Sequence, residues 1–136
     1  MRLTSLSDYA VVLLAAAARY PEGARVSATV LAVETGIPLP TAQKLTGRLA
    51  AAGLLRTARG AGGGFKLSRP AHDISLADIV EAVEGPIAMT ICVDTARHDC
   101  VLEGNCAVRP HMGIVNGAVR GALQAVSLEQ LSQVPQ

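Results

Sequence analysis

SATVLAVETGIPLPTAQKLTGRLAAAG, residues 27–53, is the stretch on which the fold turns. Ser27 is a helix N-cap residue type, and Gly36 can take the left-handed conformation that closes a helix. Val30, Leu31 and Val33 supply apolar positions around Ala32. Pro38 and Pro40 then punctuate the chain, and Pro40 suits the first turn of a new helix, where its missing N–H costs nothing. That helix runs through Leu45 and Leu49 to Ala52, with Gly53 just past its end. Ala32 and Gly36 sit four residues apart, so a small residue allows a close crossing and a glycine makes the sharp turn. Two helices joined in this way are a helix-turn-helix candidate.

The flanking sequence extends the pattern. A periodic segment from Ser5 to Tyr20 precedes it, with Ser5 and Asp8 spaced like a capping box and Pro21-Glu22-Gly23 as its stop. Two strand-like runs follow it, Leu54–Ala58 and Phe65–Ser68, around the glycine-rich residues 59–64. A basic hairpin directly after the third helix makes a winged helix. The glycine run is no nucleotide phosphate loop, because it lacks Gly-Lys-Ser/Thr and precedes a strand rather than a helix. Ser75 with Asp78 opens a helix whose apolar face is Ile79, Val80 and Val83 and which ends at Gly85-Pro86. A loop of about twenty residues carries the cysteines, and loops of that length are usually functional or disordered. A long helix is expected from Ala107 to Val126, then a short turn opened by Ser127 with Gln130. The fold class is thus mainly α: a winged helix-turn-helix domain over residues 1–85, a cysteine segment over 86–106, and a dimerisation helix with a terminal turn over 107–136.

Composition narrows the function. Half of the 136 residues are hydrophobic, yet aromatics amount to two Tyr and one Phe, so Ala, Leu, Val and Ile must build the core. The longest early apolar run, Tyr9 to Ala18, stops at Arg19, short of the roughly 18–20 residues a membrane span needs. The start, Met1-Arg2-Leu3-Thr4, moves straight into the first helix without a cleavage-site pattern, so a cytoplasmic protein is expected. The net charge of +1 hides an asymmetry. Residues 1–70 carry nine Lys/Arg against three Asp/Glu, and residues 71–136 carry three against eight. No acid lies between Glu34 and Asp73, while Lys44, Arg48, Arg56, Arg59, Lys66 and Arg69 do. A basic half of this kind points to a polyanion partner, here double-stranded DNA. Thr41, Gln43 and Lys44 are the side chains expected at a groove, with Arg48 on phosphate and Arg59 reaching a narrow minor groove. An interaction module with a solvated basic face is the rival. No nucleophile–base pair or general acid stands out, which argues against an enzyme.

The cysteines read Cys92-x7-Cys100-x5-Cys106. An odd cluster in one loop suits metal or redox chemistry better than a disulfide framework. Soft thiolates match an iron–sulfur core, and the C-x2-C knuckle common in structural zinc sites is absent. From spacing, a cluster, a zinc ion and redox-active thiols all stay open. The last helix carries Gly113, Gly117 and Gly121 at four-residue steps beside Ile114, Ala118 and Ala122. Glycine costs about 1 kcal/mol against Ala in a helix interior. Such a stripe suits close approach of a second helix, as in a two-fold dimer.

Several stretches together resemble the winged-helix family that contains the regulators IscR, NsrR and RirA. They are Met1-Arg2-Leu3-Thr4 with Asp8-Tyr9-Ala10, Leu45-x2-Arg48-Leu49-x3-Gly53-Leu54, residues 59–70 of the wing, Ile74 to Gly85, and the triple cysteine. The resemblance covers nearly the whole chain. It implies a homodimeric bacterial transcription factor, a repressor or activator, whose Cys92, Cys100 and Cys106 hold an iron–sulfur cluster (4Fe-4S or 2Fe-2S). Within the family the chain most resembles the regulators of iron homeostasis or cluster-assembly genes; the x7/x5 spacing is similar to RirA and departs from the x5/x5 of IscR and NsrR. For the remaining ligand the resemblance offers Asp8 of the partner subunit, as in NsrR. The IscR histidine position is Arg109 here, which leaves His111, His98, Asp99 or a non-protein ligand. Gln43 stands where IscR carries a glutamate that tunes its DNA selectivity. A zinc- or thiol-based redox regulator with the same fold is the alternative.

Overall fold

The computed structural model describes residues 2–57, 64–94, 101 and 105–133. Arg59, the glycines of the wing tip before Gly64, His98, Asp99 and Cys100 lie outside the described residues. The elements are α1 (Ser5–Ala18), α2 (Ala28–Thr35), α3 (Leu39–Ala51), β1 (Leu55–Thr57), β2 (Phe65–Leu67), α4 (Leu76–Glu84), α5 (Arg109–Gln124) and α6 (Leu128–Ser132), with 3-10 turns at Ala71–Asp73 and Ile91–Val93. The strands pair antiparallel with Leu55 opposite Leu67, Arg56 opposite Lys66 and Thr57 opposite Phe65. This is the winged helix-turn-helix expected from the sequence. Among the described residues no helix is long and apolar enough to cross a membrane.

Local chemistry sets most boundaries. Ser27 caps α2 by accepting the Val30 N–H at 3.1 Å. Gly36, at φ +78°, ends that helix and donates its N–H to the Ala32 carbonyl at 2.9 Å. Pro40 falls in the first turn of α3. At the far end of α3, Gly53 donates to Ala50 and Leu54 to Leu49, the paired bonds of a Schellman motif. That motif explains why the first strand starts later than expected: the Leu54 N–H is already committed to the helix. The cap of α1 also differs from expectation. Thr4, not Ser5, is the last extended residue, and its hydroxyl accepts the Ser7 N–H at 3.1 Å. Ser5 is already helical and cannot cap.

The core joins Leu13 and Leu14 of α1, Leu31 of α2, Leu45 and Leu49 of α3, Leu54 and Leu55, Ile74, and Ile79 and Val83 of α4. Val30 and Val33 do not join it. They point outward, Val33 at 80% exposure, while Leu31 and Ala32 face inward. Two pairings were not legible in the sequence. Val26 forms an isolated antiparallel bridge with Phe65, with both N–H···O bonds at 2.8 Å. Gly64 is required beside it. Its φ is +111°, and a Cβ there would lie 3.0 Å from the Val26 carbonyl oxygen. Ser75 also pairs antiparallel with Ser127, here through the flanking residues: the Leu76 N–H donates to the Val126 carbonyl and the Leu128 N–H to the Ile74 carbonyl, at 2.8 and 2.7 Å. The bridge seats α6 against α1, with Leu128 fully buried in the winged-helix core.

The α4 cap is a complete capping box, Ser75 and Asp78 satisfying each other's main-chain N–H. Arg69 adds an ion pair to Asp78 at 2.9 Å. Burial pushes the Asp78 carboxyl up, but the bonds from Ser75 and the Arg69 guanidinium outweigh it and hold the group below the usual carboxylate range. A lowered folded-state pKa contributes stability above the unfolded carboxylate pKa, and the contribution is lost as pH falls through the folded value. Asp78→Asn should therefore cost stability at neutral pH, and the difference from wild type should shrink below about pH 4. Urea unfolding at pH 7 and pH 3 measures this, and a pH-independent difference would contradict it.

Candidate functional site

Along α3, Ala42, Leu45, Thr46 and Leu49 turn inward at helical spacing. The buried Thr46 hydroxyl is satisfied by donating to the Gln43 carbonyl at 2.9 Å. The opposite stripe, Pro40, Gln43, Lys44, Gly47 and Ala51, is exposed. Its small residues leave Gln43 and Lys44 standing clear, and Thr41 lies half-buried at the edge. Arg48, expected at a phosphate, donates a guanidinium N–H to the Val83 carbonyl at 3.2 Å. On the wing, Arg56 and Lys66 are both exposed and directly opposed across the strands. Like charges in that register destabilise a hairpin unless an anion partners them. Both belong to the basic window of the sequence, but their opposition appears only with the strand register. Arg59 lies outside the described residues, as does Cys100.

The described cysteines, Cys92 and Cys106, lie within the segment between α4 and α5. Cys92 sits in the 3-10 turn Ile91–Val93, which packs against α5, with Sγ 3.0 Å from the Thr90 hydroxyl. Cys106 lies just before α5, its carbonyl accepting the Arg109 N–H at 3.4 Å. Both thiols are free and half-buried. Among the described residues no group of three or more His, Cys, Asp or Glu is gathered to hold a metal ion. Asp8, in the first turn of α1, and His111, in the first turn of α5, are exposed.

The approach to Cys92 is held by side chains. Glu81 accepts two guanidinium N–H bonds from Arg120 of α5 at 2.8 and 3.2 Å, and the Ile87 N–H at 3.0 Å. Burial pushes the Glu81 carboxyl up, but Arg120 and the Ile87 N–H more than offset this and lower it. Asn116 accepts the Met89 N–H at 2.8 Å and donates to the Ile87 carbonyl at 2.9 Å. With Asn116 turned toward Ile87 and Met89 and Arg120 toward α4, the Gly113, Gly117 and Gly121 stripe faces away. Among the described residues nothing outside the helix's own neighbouring backbone stands within 4 Å of where their Cβ atoms would be, and Ile114 beside them is 72% exposed.

Residues 3–133 match the family model described as "Rrf2: Iron-dependent Transcriptional regulator". The chain belongs to the Rrf2 family. It is 36% identical to Protein aau3 of Rhizobium meliloti, over 92% of this chain and 76% of that protein. It is 30% identical to the HTH-type transcriptional regulator IscR of Photorhabdus laumondii, over 96% and 79% of the two chains. Among solved structures it is similar to CymR, the global cysteine regulator of B. subtilis, with a TM-score of 0.76 at 24% identity, covering 97% and 96% of the two chains. The Rrf2 assignment makes this chain a transcriptional regulator rather than an enzyme and agrees with the family resemblance carried by the wing and the triple cysteine.

Proposed function

We propose that this Rrf2 regulator is a cytoplasmic homodimer that reads a DNA operator with α3 and the wing, and that an iron–sulfur cluster held by Cys92, Cys100 and Cys106 sets its affinity. The observation that supports it most is the pair of free, half-buried thiols between the winged helix and a long helix whose outer face is uncovered. The donor set fits such a group: three soft thiolates in one segment, two of them accessible and neither in a disulfide. When bound, the cluster supplies a redox- and iron-sensitive crosslink. Three thiolates leave one position for Asp8 of the partner subunit, His111 or a non-protein ligand. The iron-dependent family and the 30% identical IscR favour the cluster over zinc or simple thiol chemistry. The 1–85, 86–106 and 107–136 division serves as a functional one, although α6 packs back onto α1.

Gln43 and Thr41 would meet base edges, and Lys44, Arg56, Lys66 and Arg59 phosphate or the minor groove. Gly113, Gly117 and Gly121 would pack against the partner's long helix, placing two recognition helices on half-sites about one helical turn, or a multiple of it, apart. Lys44→Ala and Arg56→Ala should each weaken binding to all duplexes alike and reduce the salt slope by about one. Gln43→Ala should cost about 1–3 kcal/mol at one base position only. Operator titrations across salt, with iron and sulfide analysis of anaerobically purified dimer, test the reading. Unchanged slopes would move the DNA surface elsewhere, and stoichiometric zinc without acid-labile sulfide would replace the cluster.

A further inference from the structure

Four separate parts of the molecule meet at the last turn of α4. From α3, Arg48 donates to the Val83 carbonyl at 3.2 Å. From the start of α1, the Thr4 and Ser7 hydroxyls both donate to Glu84, Ser7 at 3.1 Å. From α5, Arg120 holds Glu81 through two bonds. From the cysteine side, the Ile87 N–H donates to the other Glu81 oxygen at 3.0 Å. Asn116 grips Ile87 and Met89 as well. These main-chain groups just before Cys92 are therefore satisfied by side chains of α4 and α5, so the entry to the cysteine segment goes where those helices go.

We propose that residues 81–84 form a joint that carries the state of the cysteine segment to the recognition helix, with Glu81 and Arg48 as positioning residues on its two sides. The proposal rests on the reading of the cysteines as cluster ligands. Glu81 and Val83 belong to one hydrogen-bonded helical turn, closed by the Gly85 N–H on the Glu81 carbonyl at 2.9 Å. A pull on Glu81 from Ile87 or Arg120 must then move the Val83 carbonyl with it. That carbonyl lies past Glu81 in the last turn of α4, where the carbonyls run out of intrahelical partners and carry the negative end of the helix dipole. A guanidinium is the natural partner there, and Arg48 stands one turn beyond Lys44 on α3. Displacing the carbonyl re-aims the helix that carries Gln43 and Lys44. Arg48 then serves geometry rather than phosphate charge, and the two roles predict different measurements.

The test uses the full-length dimer with Glu81→Gln, Arg48→Gln and the double variant. The Glu81→Gln change leaves one acceptor oxygen where two are used. Operator affinity is measured with and without cluster, and the salt slope on random duplex alongside. Each single variant should bring the ratio of cluster-loaded to cluster-free affinity about five- to tenfold closer to one, within the usual range of allosteric coupling, and the double variant no further. Cluster absorbance and salt slope should stay at wild-type values. A slope reduced by about one in Arg48→Gln, with the ratio intact, makes Arg48 a phosphate contact and overturns the joint. Additive losses in the double variant overturn it too. Should wild type itself show a ratio of one, the cluster reading fails separately, and hydrogen exchange on cluster-free protein decides the joint. Glu81→Gln should then speed exchange at Ile87 and Met89 and also in the last turn of α3, whereas an effect confined to residues 87–89 overturns it.

Discussion

Serine in place of Cys92, Cys100 or Cys106 should abolish the visible absorbance of the anaerobically purified protein and its acid-labile sulfide, while the far-ultraviolet helical signal stays unchanged. A hydroxyl is a hard, weakly acidic donor and does not replace a thiolate on an iron–sulfur core. Neither described cysteine belongs to the buried apolar core, so the winged helix has no packing to lose. The consequence belongs to DNA binding. Operator affinity should shift to the cluster-free value in all three variants, a change of about 5–150-fold if the coupling is of ordinary size. By linkage, an operator that prefers the loaded form must in turn slow cluster loss, which absorbance decay with and without DNA will show. Three variants that keep sulfide and colour would end the cluster reading.

Leu128→Ala should be among the most destabilising single changes in the chain, although it lies eight residues from the C-terminus. Leu128 is fully buried, and its N–H is bonded to the Ile74 carbonyl at 2.7 Å. Truncating a buried leucine costs about 2–5 kcal/mol through lost transfer energy and the cavity left behind. That is a large fraction of the roughly 5–15 kcal/mol that holds a domain folded. Thermal unfolding of cluster-free protein should show a midpoint lowered on the order of 10 °C. Val33→Ala, at a position 80% exposed, should stay within about 0.5 kcal/mol of wild type. A loss below about 1 kcal/mol for Leu128→Ala would mean that α6 does not belong to the winged-helix core.

The exposed face of α3 is legible in the sequence. Gln43 and Lys44 follow from helical periodicity, because Leu45 and Leu49 must face the core and so assign the opposite stripe to solvent. Arg48 lies on the same helix, and its carbonyl partner is 35 residues away, where no local pattern announces it. The opposition of Arg56 and Lys66 depends on strand register, which a wing with glycines at its tip does not specify by itself. The three cysteines stand out in the sequence by their clustering, whereas the side chains that hold the stretch before Cys92, Glu81, Asn116 and Arg120, do not. Each is an ordinary polar residue on a helix, and only the packing of α5 on α4 makes it a clamp.

By itself the sequence determined the order of elements and where most helices begin and end. Ser27, Ser75 and Ser127 each satisfy an N–H three residues on, and Gly36 and Gly85 end their helices. Such bonds close over a few residues, so the information is local and survives any tertiary arrangement. Tertiary structure alone decided which apolar residues are inside. Of the apolar positions around Ala32, Leu31 is buried while Val30 and Val33 stand in solvent, because apolar side chains are not obliged to be buried when other elements already cover the interior. It also decided that Val26 becomes a third strand partner and that α6 closes the domain. Those contacts join segments tens of residues apart, and the complementary surfaces that select them exist only once the helices have packed.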